Sequence, residues 1–317
     1  MKVLVTGGSS LLGRAVADLL IARGDNVTCF QRRPSSSLAN DVLGDIRDRD
    51  SLMAASEGGD AVIHLAALVA PKASWTDMEA INIGGTRNAL AAATSSGRFV
   101  HISSPSVAFH DEPSVGSGAL SADYRGHDGY TRSKALAEQM VSVETTVPTV
   151  IIRPHLIWGP GDTQLIGRIV DRARAGRLAL PDGGRALVDT TYVDDAASAI
   201  VAALDHCVAG DEATGRPLVV TGGEPRPLRD LVSSILQAAD VARTPRSIPA
   251  PLAAALGSVL ERLWPGSEPP LTHFAARQLS VAHWFDQRET RRILRWAPTV
   301  GLDEGFVRLR EHFKTHA

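Results

Sequence analysis

After Met1 the chain reads Lys2-Val-Leu-Val-Thr-Gly-Gly-Ser-Ser-Leu-Leu-Gly13. The apolar run predicts a buried strand, the glycines predict a tight turn, and apolar residues at helical spacing after Gly13 predict a helix. This order lets main-chain N–H groups reach a pyrophosphate, which then sits at the positive end of the helix dipole. The candidate contacts of such a dinucleotide site are Gly7, Ser9, Ser10, Leu11, Leu12 and Gly13.

Ser10 occupies the middle position of the glycine pattern. Gly7 and Gly13 match the first and third glycines of a G-x-x-G-x-x-G arrangement. A side chain at the middle position stands where the backbone approaches the phosphates, and two alternatives follow. Either the turn avoids positive φ at Ser10, or the Ser10 hydroxyl itself contacts the ligand.

Strand-like and helix-like segments alternate from Val3 to Arg153, with helices predicted at 82–95 and 132–144 among others. Parallel strands need crossover connections, so this alternation predicts an α/β fold with a doubly wound parallel sheet, the Rossmann fold. We expect about six strands in this half. A further strand at 217–220 is expected to return to the sheet.

Beyond Arg153 the sequence changes to loops and short elements, which predicts a smaller, interleaved C-terminal substrate lobe. We assign residues 1–155, with returning segments at about 186–222, to an NADP-binding Rossmann domain. Residues 156–185 and 223–317 are assigned to the substrate-binding lobe.

The end of the second predicted strand indicates which nicotinamide dinucleotide is bound. An acidic residue there accepts from a free ribose 2′-hydroxyl, but the chain has Arg32 and Arg33 and no carboxylate. Two guanidinium groups suit a 2′-phosphate, so we predict NADP(H) in preference to NAD(H), whose use stays open. The alternative is a solvated arginine pair. In the candidate segment Asp45-Ile46, Asp45 either accepts from the adenine amino group or caps a helix.

Tyr130 is the only tyrosine followed four residues later by a lysine, in a chain with only four lysines. At helical spacing Tyr130 and Lys134 lie on one face. A phenol has a pKa near 10, and a neighbouring ammonium favours the phenolate. Lys134 can also bond the ribose of a cofactor and fix it against the tyrosine.

A short hydroxyl donor is expected at the end of a neighbouring strand, in Phe99-Val-His-Ile-Ser-Ser-Pro-Ser106. We favour Ser104 over Ser103 and Ser106 as the group that polarises the substrate oxygen beside the tyrosine. The alternative is a strand-end turn, rich in serine and proline, that has no catalytic role.

Charge and cysteine content argue against several classes of function. With 33 basic residues, 35 acidic residues and a formal charge of -2, the chain lacks the surplus cation that nucleic-acid binding needs. Cys29 and Cys207 lie far apart, so we expect no disulfide framework and a cytoplasmic location. We expect no metal site and interpret His64, His101 and His155 as core or cofactor-side histidines.

One apolar helix-like stretch, Pro249 to Trp264, lies outside the predicted sheet. It is shorter than the roughly 20 residues that a membrane-spanning helix needs. It is either a buried helix of the lobe or an apolar lid or lipid-facing lip around a greasy substrate.

Motifs along nearly the whole chain resemble the extended short-chain dehydrogenase/reductase family. The resemblance implies that Ser104, Tyr130 and Lys134 are catalytic and that Asn82 belongs to a relay behind the site. It also implies further cofactor contacts, in which Leu65, Ala66 and Ala67 line the cofactor and Pro154 and His155 flank the nicotinamide carboxamide. The matching segments are Thr6 to Gly13, Asp45-Ile46, His64 to Ala67, Asn82 to Thr86, Ser103-Ser104, Tyr130 to Lys134, Arg153-Pro154, Gly159 to Asp162 and Tyr192 to Asp195.

Within the family, the segments Arg153 to Asp162, Asp189 to Asp195 and Gln278 to Asp286 resemble the 3β-hydroxysteroid dehydrogenase-like branch. In that branch they are similar to the bacterial 2-alkyl-3-oxoalkanoate reductases of olefin biosynthesis. The resemblance implies that NADPH reduces a large apolar ketone, a 2-alkyl-3-oxoalkanoate that becomes the 3-hydroxy acid. The alternatives are a 3β-hydroxysteroid dehydrogenase, a nucleotide-sugar epimerase or dehydratase, and a regulator that senses NADP without chemistry.

The partner expected from these features is a small apolar substrate molecule. We expect no nucleic acid and no transmembrane segment. Weak contact with a membrane surface and assembly into a homodimer stay open.

Overall fold

Seven parallel strands form the central sheet of the computed structural model, which describes residues 1–35, 37–70, 72–109, 112–125, 128–144, 146–265 and 269–316. The sheet strands are β1 (Lys2–Thr6), β2 (Asn26–Gln31), β3 (Asn40–Leu43), β4 (Ala61–His64), β5 (Phe99–Ile102), β7 (Thr149–Pro154) and β12 (Pro217–Val220). Their order, β12-β7-β5-β4-β1-β2-β3, makes the sheet doubly wound. The fold prediction and the return of 217–220 to the sheet are confirmed.

Helices cover both faces of this sheet and continue into the C-terminal part of the chain. They are α1 (Leu11–Ala22), α2 (Arg49–Ser56), α3 (Trp75–Met78), α4 (Gly85–Ala93), α5 (Gly129–Ser142), α6 (Ile166–Arg174), α7 (Val193–Asp205), α8 (Leu228–Ala238), α9 (Ala250–Leu263), α10 (His273–Ser280), α11 (Arg288–Leu294) and α12 (Leu302–Thr315). A π-helix, Glu79–Gly84, joins α3 to α4, and 3-10 turns lie at Pro105–Ala108 and Asp182–Gly184. The short strands are β6 (Ser114–Ser117), β8 (Ile157–Trp158), β9 (Ala179–Pro181), β10 (Leu187–Val188), β11 (Thr191–Tyr192), β13 (Arg226–Pro227), β14 (Arg246–Ile248) and β15 (His283–Phe285).

The central strands are buried on both faces. Every residue of β4, β5 and β7 is buried, as expected for parallel strands covered by helices on each side. Val3 and Val5 of β1 join the core cluster under α1 and α7, whereas Leu4 joins the cluster on the opposite face, with Leu52 of α2 and Leu90 of α4. Since all strands are parallel, their carboxyl ends meet at one edge, where the candidate site residues lie.

Two helices begin earlier than the sequence predicts. The helix expected at 82–95 is the C-terminal part of a continuous helical run from Trp75 to Ala93. Ser74 caps the start of this run, because its hydroxyl accepts from the Asp77 N–H at 3.1 Å. Helix α5 begins at Gly129 rather than at 132, because the Asp128 carboxylate accepts from the Thr131 N–H at 3.0 Å. In both cases a polar cap outweighs the weak helix propensity of the residues that follow it.

Helix α9 has one buried and one exposed apolar face. Its buried residues are small, Ala253, Ala254 and Gly257, and they pack against α10. The opposite face exposes Leu252 (49%), Leu256 (43%), Val259 (52%) and Leu263 (72%). The interpretation of this stretch as a buried helix is therefore wrong for that face. Within the described ranges, no helix is both long enough and apolar enough to cross a membrane.

Candidate active site

The glycine turn has the geometry that a pyrophosphate needs. Gly7 adopts φ +78, and a Cβ there would lie 2.9 Å from the main-chain nitrogen of Ala66. A Cβ on Gly13 would lie 2.2 Å from the carbonyl oxygen of Gly7. Both positions therefore require glycine, and the turn delivers the first N–H groups of α1, at Leu11 and Leu12, to the open end of the helix.

Ser10 has its own structural role in this turn. Its backbone lies at φ -75 and ψ 162, so the turn avoids positive φ at the position where the pattern usually has glycine. The Ser10 hydroxyl donates to the Gly7 carbonyl at 2.9 Å and accepts from the Gly13 N–H at 3.0 Å. The first of the two sequence alternatives therefore holds, and the hydroxyl caps α1. Ser9 is exposed beside it, whereas the Leu12 side chain is buried in the core.

The end of β2 is more acidic than its sequence indicates. Gln31 is buried there, and its Nε2 donates to Oδ1 of Asp41 on β3 at 2.6 Å. The other Asp41 oxygen accepts from the Ser35 N–H at 2.9 Å. Arg32 and Arg33 follow Gln31 and are exposed. The segment that follows β2 has no carboxylate of its own, as the sequence shows, but the neighbouring strand supplies Asp41 at this place.

Asp45 is paired rather than used as a helix cap. Its carboxylate accepts from Nη2 of Arg47 at 2.6 Å and from the Arg47 N–H at 2.9 Å. These contacts with Arg47 lower the pKa of Asp45. Asp48 caps α2 instead, accepting from the Ser51 N–H at 3.2 Å. The cap alternative for Asp45 is wrong, and its neighbour Ile46 is buried in the core.

A buried hydrogen-bond chain supports the loop that follows β4. Ala66 N–H donates to Oγ1 of Thr6 at 3.2 Å, and that hydroxyl lies 2.8 Å from Nδ1 of His64. On the other side, Nε2 of His64 lies 3.0 Å from Oγ1 of Thr86, which donates to the Asn82 carbonyl at 2.6 Å. Because the Thr86 hydroxyl donates its proton to the Asn82 carbonyl, it can only accept from His64. The Nε2 of His64 is therefore the donor, and its Nδ1 accepts from the Thr6 hydroxyl. The loop that presents Leu65, Ala66 and Ala67 is thereby tied to β1 and to the π-helix.

Asn82 lies in the π-helix and clamps two elements together. Its Oδ1 accepts from the Leu68 N–H at 2.7 Å, and its Nδ2 donates to the Leu68 carbonyl at 3.1 Å and to Oγ of Ser133 at 2.8 Å. Both amide protons are therefore used in fixing the cofactor-side loop to α5. The structure gives Asn82 this anchoring contact, while its part in a relay stays a prediction. π-Helical turns are rare and occur often at functional sites.

Helix α5 brings the tyrosine and the lysine to the end of β5. Lys134 is buried, and its Nζ donates to the main-chain carbonyl of Ile102, the last residue of β5, at 2.5 Å. Ser104 follows two residues later, and its Oγ lies 2.8 Å from Oγ of Ser106. The Ser106 N–H donates to Oγ of Ser104 at 3.2 Å, so Ser104 begins the 3-10 turn. Lys134 and the turn that holds Ser104 thus lie at the end of β5, and Tyr130 lies one helical turn before Lys134 on α5.

The tyrosine and the lysine titrate differently from the expectation. Burial and the charge of Asp128 raise the pKa of Tyr130 to about 12. Burial lowers the pKa of Lys134 to about 8, against the charge of Glu138, which raises it. The expected stabilisation of the phenolate by the ammonium is therefore wrong here. The tyrosine is held in its protonated form, which is the form that donates a proton.

His155, at the end of β7, is engaged by the C-terminal part of the chain. Its Nε2 lies 2.9 Å from Nδ1 of His283 on β15, and its ring meets Phe285 edge-on at 5.1 Å. Its N–H donates to the Val220 carbonyl at 3.1 Å. Burial lowers the pKa of both histidines, so the pair is neutral. Pro154 beside it is buried, and whether the two flank a carboxamide stays a prediction.

His101 differs from the other two predicted core histidines. It is fully buried on β5, and its ring stacks with those of His64 and Phe99, with ring centroids 5.8 and 6.2 Å away. Neither of its ring nitrogens has a hydrogen-bond partner among the described residues. The interpretation as a core histidine holds for both His64 and His101, and of these two only His64 has hydrogen-bond partners among the described residues. The described ranges contain no cluster of three His, Cys, Asp or Glu side chains that could hold a metal ion.

Comparison with known proteins places the chain in a family. The sequence profile of the NAD dependent epimerase/dehydratase family matches residues 3–219. The chain belongs to this family. The extended short-chain dehydrogenase/reductase family expected from the motifs is thereby confirmed.

The relatives and neighbours of this family member include reductases and epimerases. A 2-alkyl-3-oxoalkanoate reductase of Stenotrophomonas maltophilia is 39% identical and covers 98% of both chains. A 3 beta-hydroxysteroid dehydrogenase/Delta 5→4-isomerase of Mycobacterium tuberculosis is 30% identical over 94% of this chain and 86% of the relative. Among solved structures, the UDP-glucuronic acid 4-epimerase of Bacillus cereus in complex with NAD superposes with a TM-score of 0.76 at 20% identity. It covers 100% of this chain and 99% of that one, a likeness of fold.

Three polar contacts of this epimerase/dehydratase family member escaped the sequence analysis. The Gln31–Asp41 contact joins neighbouring strands, and no sequence pattern around either residue predicts it. Glu138 binds Arg153 of β7 and Ser103, the residue that follows β5. Glu138 lies one helical turn after Lys134, so the spacing that found the lysine also points to the glutamate.

Proposed function

We propose that the chain is an NADP(H)-dependent oxidoreductase that interconverts a ketone and a secondary alcohol on a large apolar substrate. The substrate proposed is a 2-alkyl-3-oxoalkanoate, a 3-keto acid reduced to the 3-hydroxy acid. The observation that carries the proposal is the contact of Lys134 Nζ with the Ile102 carbonyl, which puts α5, with Tyr130 one turn before the lysine, beside the strand end that leads to Ser104. The 39% identity to a reductase with that name supports the choice of substrate.

The residues present fit a bound dinucleotide. Gly7 and Gly13 let the main chain of the turn pack closely against itself and against Ala66, and the Oε1 of Gln31 is a buried acceptor without a partner in the described part of the chain. The turn before α1 would hold the pyrophosphate, and Arg32 and Arg33 would bind a 2′-phosphate. Bound NADPH supplies a hydride for the ketone carbon. We propose that residues 1–155 and about 186–222 form the domain that binds this cofactor. Residues 156–185 and 223–317 form the lobe that binds the substrate.

The protein side of the reaction is proton donation to the ketone oxygen. Tyr130, with its pKa raised to about 12, keeps its proton until the oxygen gains negative charge. The Ser104 hydroxyl donates a second hydrogen bond to that oxygen and stabilises the developing charge. Lys134, as an ammonium, passes a proton to the phenolate that the transfer leaves, and then takes a proton from solvent, so that both groups are restored after each turnover.

The proposed substrate is apolar, and so is the outer face of α9. We propose that the lobe takes the alkyl chains, with weak contact to a membrane surface and assembly into a homodimer as further properties of the protein. A cytoplasmic location goes with the proposed substrate and with the wide separation of Cys29 and Cys207, both buried and free.

A steady-state assay tests the proposal. NADPH oxidation is measured with a long-chain 2-alkyl-3-oxo acid and with a 3-ketosteroid, in the wild type and in Tyr130→Phe. We expect the wild type to reduce the oxo acid. Tyr130→Phe should lose this activity and still bind NADPH. A variant that keeps more than about a tenth of wild-type kcat contradicts the role of Tyr130 as the acid.

Two other enzymes are separated by the same assay. Preference for the ketosteroid would indicate a 3β-hydroxysteroid dehydrogenase, the activity that the Mycobacterium relative is named for. An epimerase or dehydratase would retain a tightly bound dinucleotide through dilution, whereas a reductase must release it after each hydride transfer. A regulator that senses NADP would bind NADPH and oxidise none with any ketone of the panel.

A further inference from the structure

A buried ion pair joins α5 to β7 directly behind the proposed catalytic side chains. Arg153 is 1% exposed, and its Nε donates to Oε2 of Glu138 at 2.9 Å while its Nη2 donates to Oε1. The remaining nitrogen, Nη1, donates to the Leu120 carbonyl at 2.6 Å. A guanidinium bound through two parallel hydrogen bonds fixes a carboxylate in orientation as well as position. Glu138 is therefore held rigidly.

The same carboxylate holds the end of β5. Ser103 Oγ donates to Oε2 of Glu138 at 2.5 Å, and the Ser103 N–H donates to the Ile152 carbonyl of β7 at 2.7 Å. Ser103 immediately precedes Ser104, so these two contacts set the direction in which Ser104 leaves the strand. One carboxylate thus touches the strand end that carries the proposed hydroxyl donor and shares a helix with the proposed acid.

Glu138 is also the acidic group that acts on the lysine. Its charge raises the pKa of Lys134, against the burial that lowers it to about 8. The other ionisable groups around this ammonium are Tyr130 on α5, His64 at the end of β4 and His101 on β5. Burial keeps both histidines neutral, and the guanidinium bound to Glu138 is positive. The charge of Glu138 therefore opposes a buried environment that otherwise favours the neutral amine.

We propose that Glu138 is a positioning residue for the reaction: it aims Ser104 through Ser103 and keeps the Lys134 ammonium charged. Arg153 makes a buried carboxylate tolerable at this place, because an unpaired buried charge is strongly destabilising. The inference rests on the proposed reaction. Its first test, however, measures the lysine itself and needs neither substrate nor cofactor.

Selective 15N labelling of lysine tests the effect on charge. The chain has four lysines, so the Nζ signals are few, and loss of one signal in Lys134→Arg assigns it. In Glu138→Gln we expect the pKa of Lys134 to fall by about one unit or more relative to the wild type. Glu212→Gln, which removes an exposed carboxylate paired with Arg292, is the matched control and leaves the titration unchanged. An unchanged titration in Glu138→Gln overturns the proposal.

Ser103→Ala tests the effect on Ser104 and keeps the ion pair, so it stays informative if Glu138→Gln fails to fold. We expect kcat to fall about tenfold, since small misplacement of a catalytic group is costly, while the NADPH dissociation constant, measured by tryptophan fluorescence, is unchanged. Ser56→Ala is the control and keeps wild-type kcat, since Ser56 is also buried but its hydroxyl donates to the main-chain carbonyl of Met53, away from Glu138. A kcat within twofold of wild type in Ser103→Ala overturns the proposal. Absence of any wild-type turnover would instead remove the proposed function.

Discussion

The Nζ of Lys134 donates to the carbonyl of Ile102 at 2.5 Å, two residues before Ser104. The proposed catalytic lysine is therefore anchored to the strand end that leads to the proposed hydroxyl donor. This contact fixes the ammonium in a buried place, and burial lowers its pKa to about 8. The charge of the lysine is consequently lost over a pH range that an enzyme assay can reach.

We expect ketone reduction to slow as pH rises through about 8, because the folded-state pKa of Lys134 lies there and the neutral amine no longer supplies the proton that restores Tyr130. Tyr130 does not contribute to this limb, since its pKa is about 12. The measurement is kcat between about pH 6 and 10 at saturating NADPH. A rate that stays flat to the alkaline end would rule out a role for the lysine charge.

Ser104 and Ser106 are distinguished by their separate alanine variants. Ser104→Ala is expected to lower kcat by about a hundredfold or more, the usual effect of removing a donor to a developing oxyanion. Ser106→Ala removes only the neighbour whose Oγ lies 2.8 Å away, and should cost less than about tenfold. Single-turnover rates with NADPH decide the matter. The reverse order of effects would move the donor role to Ser106.

The arginine pair after β2 is expected to select the phosphorylated cofactor. Arg32→Ala and Arg33→Ala should each weaken NADPH binding about tenfold and leave NADH binding within about twofold, since only NADPH carries the 2′-phosphate. Arg310→Ala, an exposed arginine on α12, is the control. Fluorescence titration gives the dissociation constants. If binding of NADPH and of NADH weakens equally, the two arginines act only through their general positive charge. If neither weakens, Arg32 and Arg33 are a solvated pair.

The buried histidines make the fold sensitive to acid. Burial lowers the pKa of His64 to about 3 and of His283 to about 4, below the value near 6.5 of an unfolded chain. The unfolded state therefore binds protons first as pH falls, so the free energy of unfolding holds above about pH 6.5 and decreases below it. At pH 5 each such histidine is expected to cost about 2 kcal/mol. Urea unfolding at pH 7.5 and 5 measures this.

His101→Phe is expected to reduce that sensitivity. The phenyl ring removes two buried nitrogens without partners in the described chain and keeps the stacking on Phe99. Stability should rise by about 1 kcal/mol at neutral pH and by more at pH 5. His316→Gln changes an exposed histidine and serves as the control. A variant as acid-sensitive as the wild type would show that His101 does not contribute.

The exposed face of α9 is expected to bind lipid rather than to stabilise the fold. Replacing Leu252, Leu256, Val259 and Leu263 together with Gln should leave Tm within about 2 °C, since exposed substitutions have small effects. Co-sedimentation with phosphatidylglycerol vesicles should fall about tenfold or more. Val307→Gln, exposed on α12, is the control. Unchanged sedimentation would refute lipid contact, and a shift from dimer to monomer on gel filtration would assign the face to a second copy.

The sheet was predictable because each strand and the Gly7 to Gly13 turn carry local signals. The Tyr130–Lys134 spacing was likewise local, since one helix turn joins the two residues. What escaped prediction depends on tertiary contact. The acid beside Gln31 comes from the neighbouring strand, and the pKa of Tyr130 follows from burial and from Asp128, which the sequence showed only as a residue before a helix.

The π-helix at Glu79–Gly84 has a consequence for the evolution of the chain. A π-helical turn contains one residue more than an α-helical turn, and an α-helix advances about 100° per residue. The wider turn takes up this residue locally, so the α-helical segments on either side keep nearly the same relative orientation. Deleting one residue beside Asn82 would close the turn to α-helical geometry and displace the Asn82 amide, which bonds to Leu68 and Ser133. A one-residue insertion in this helix can therefore move one side chain and leave the flanking helices in place.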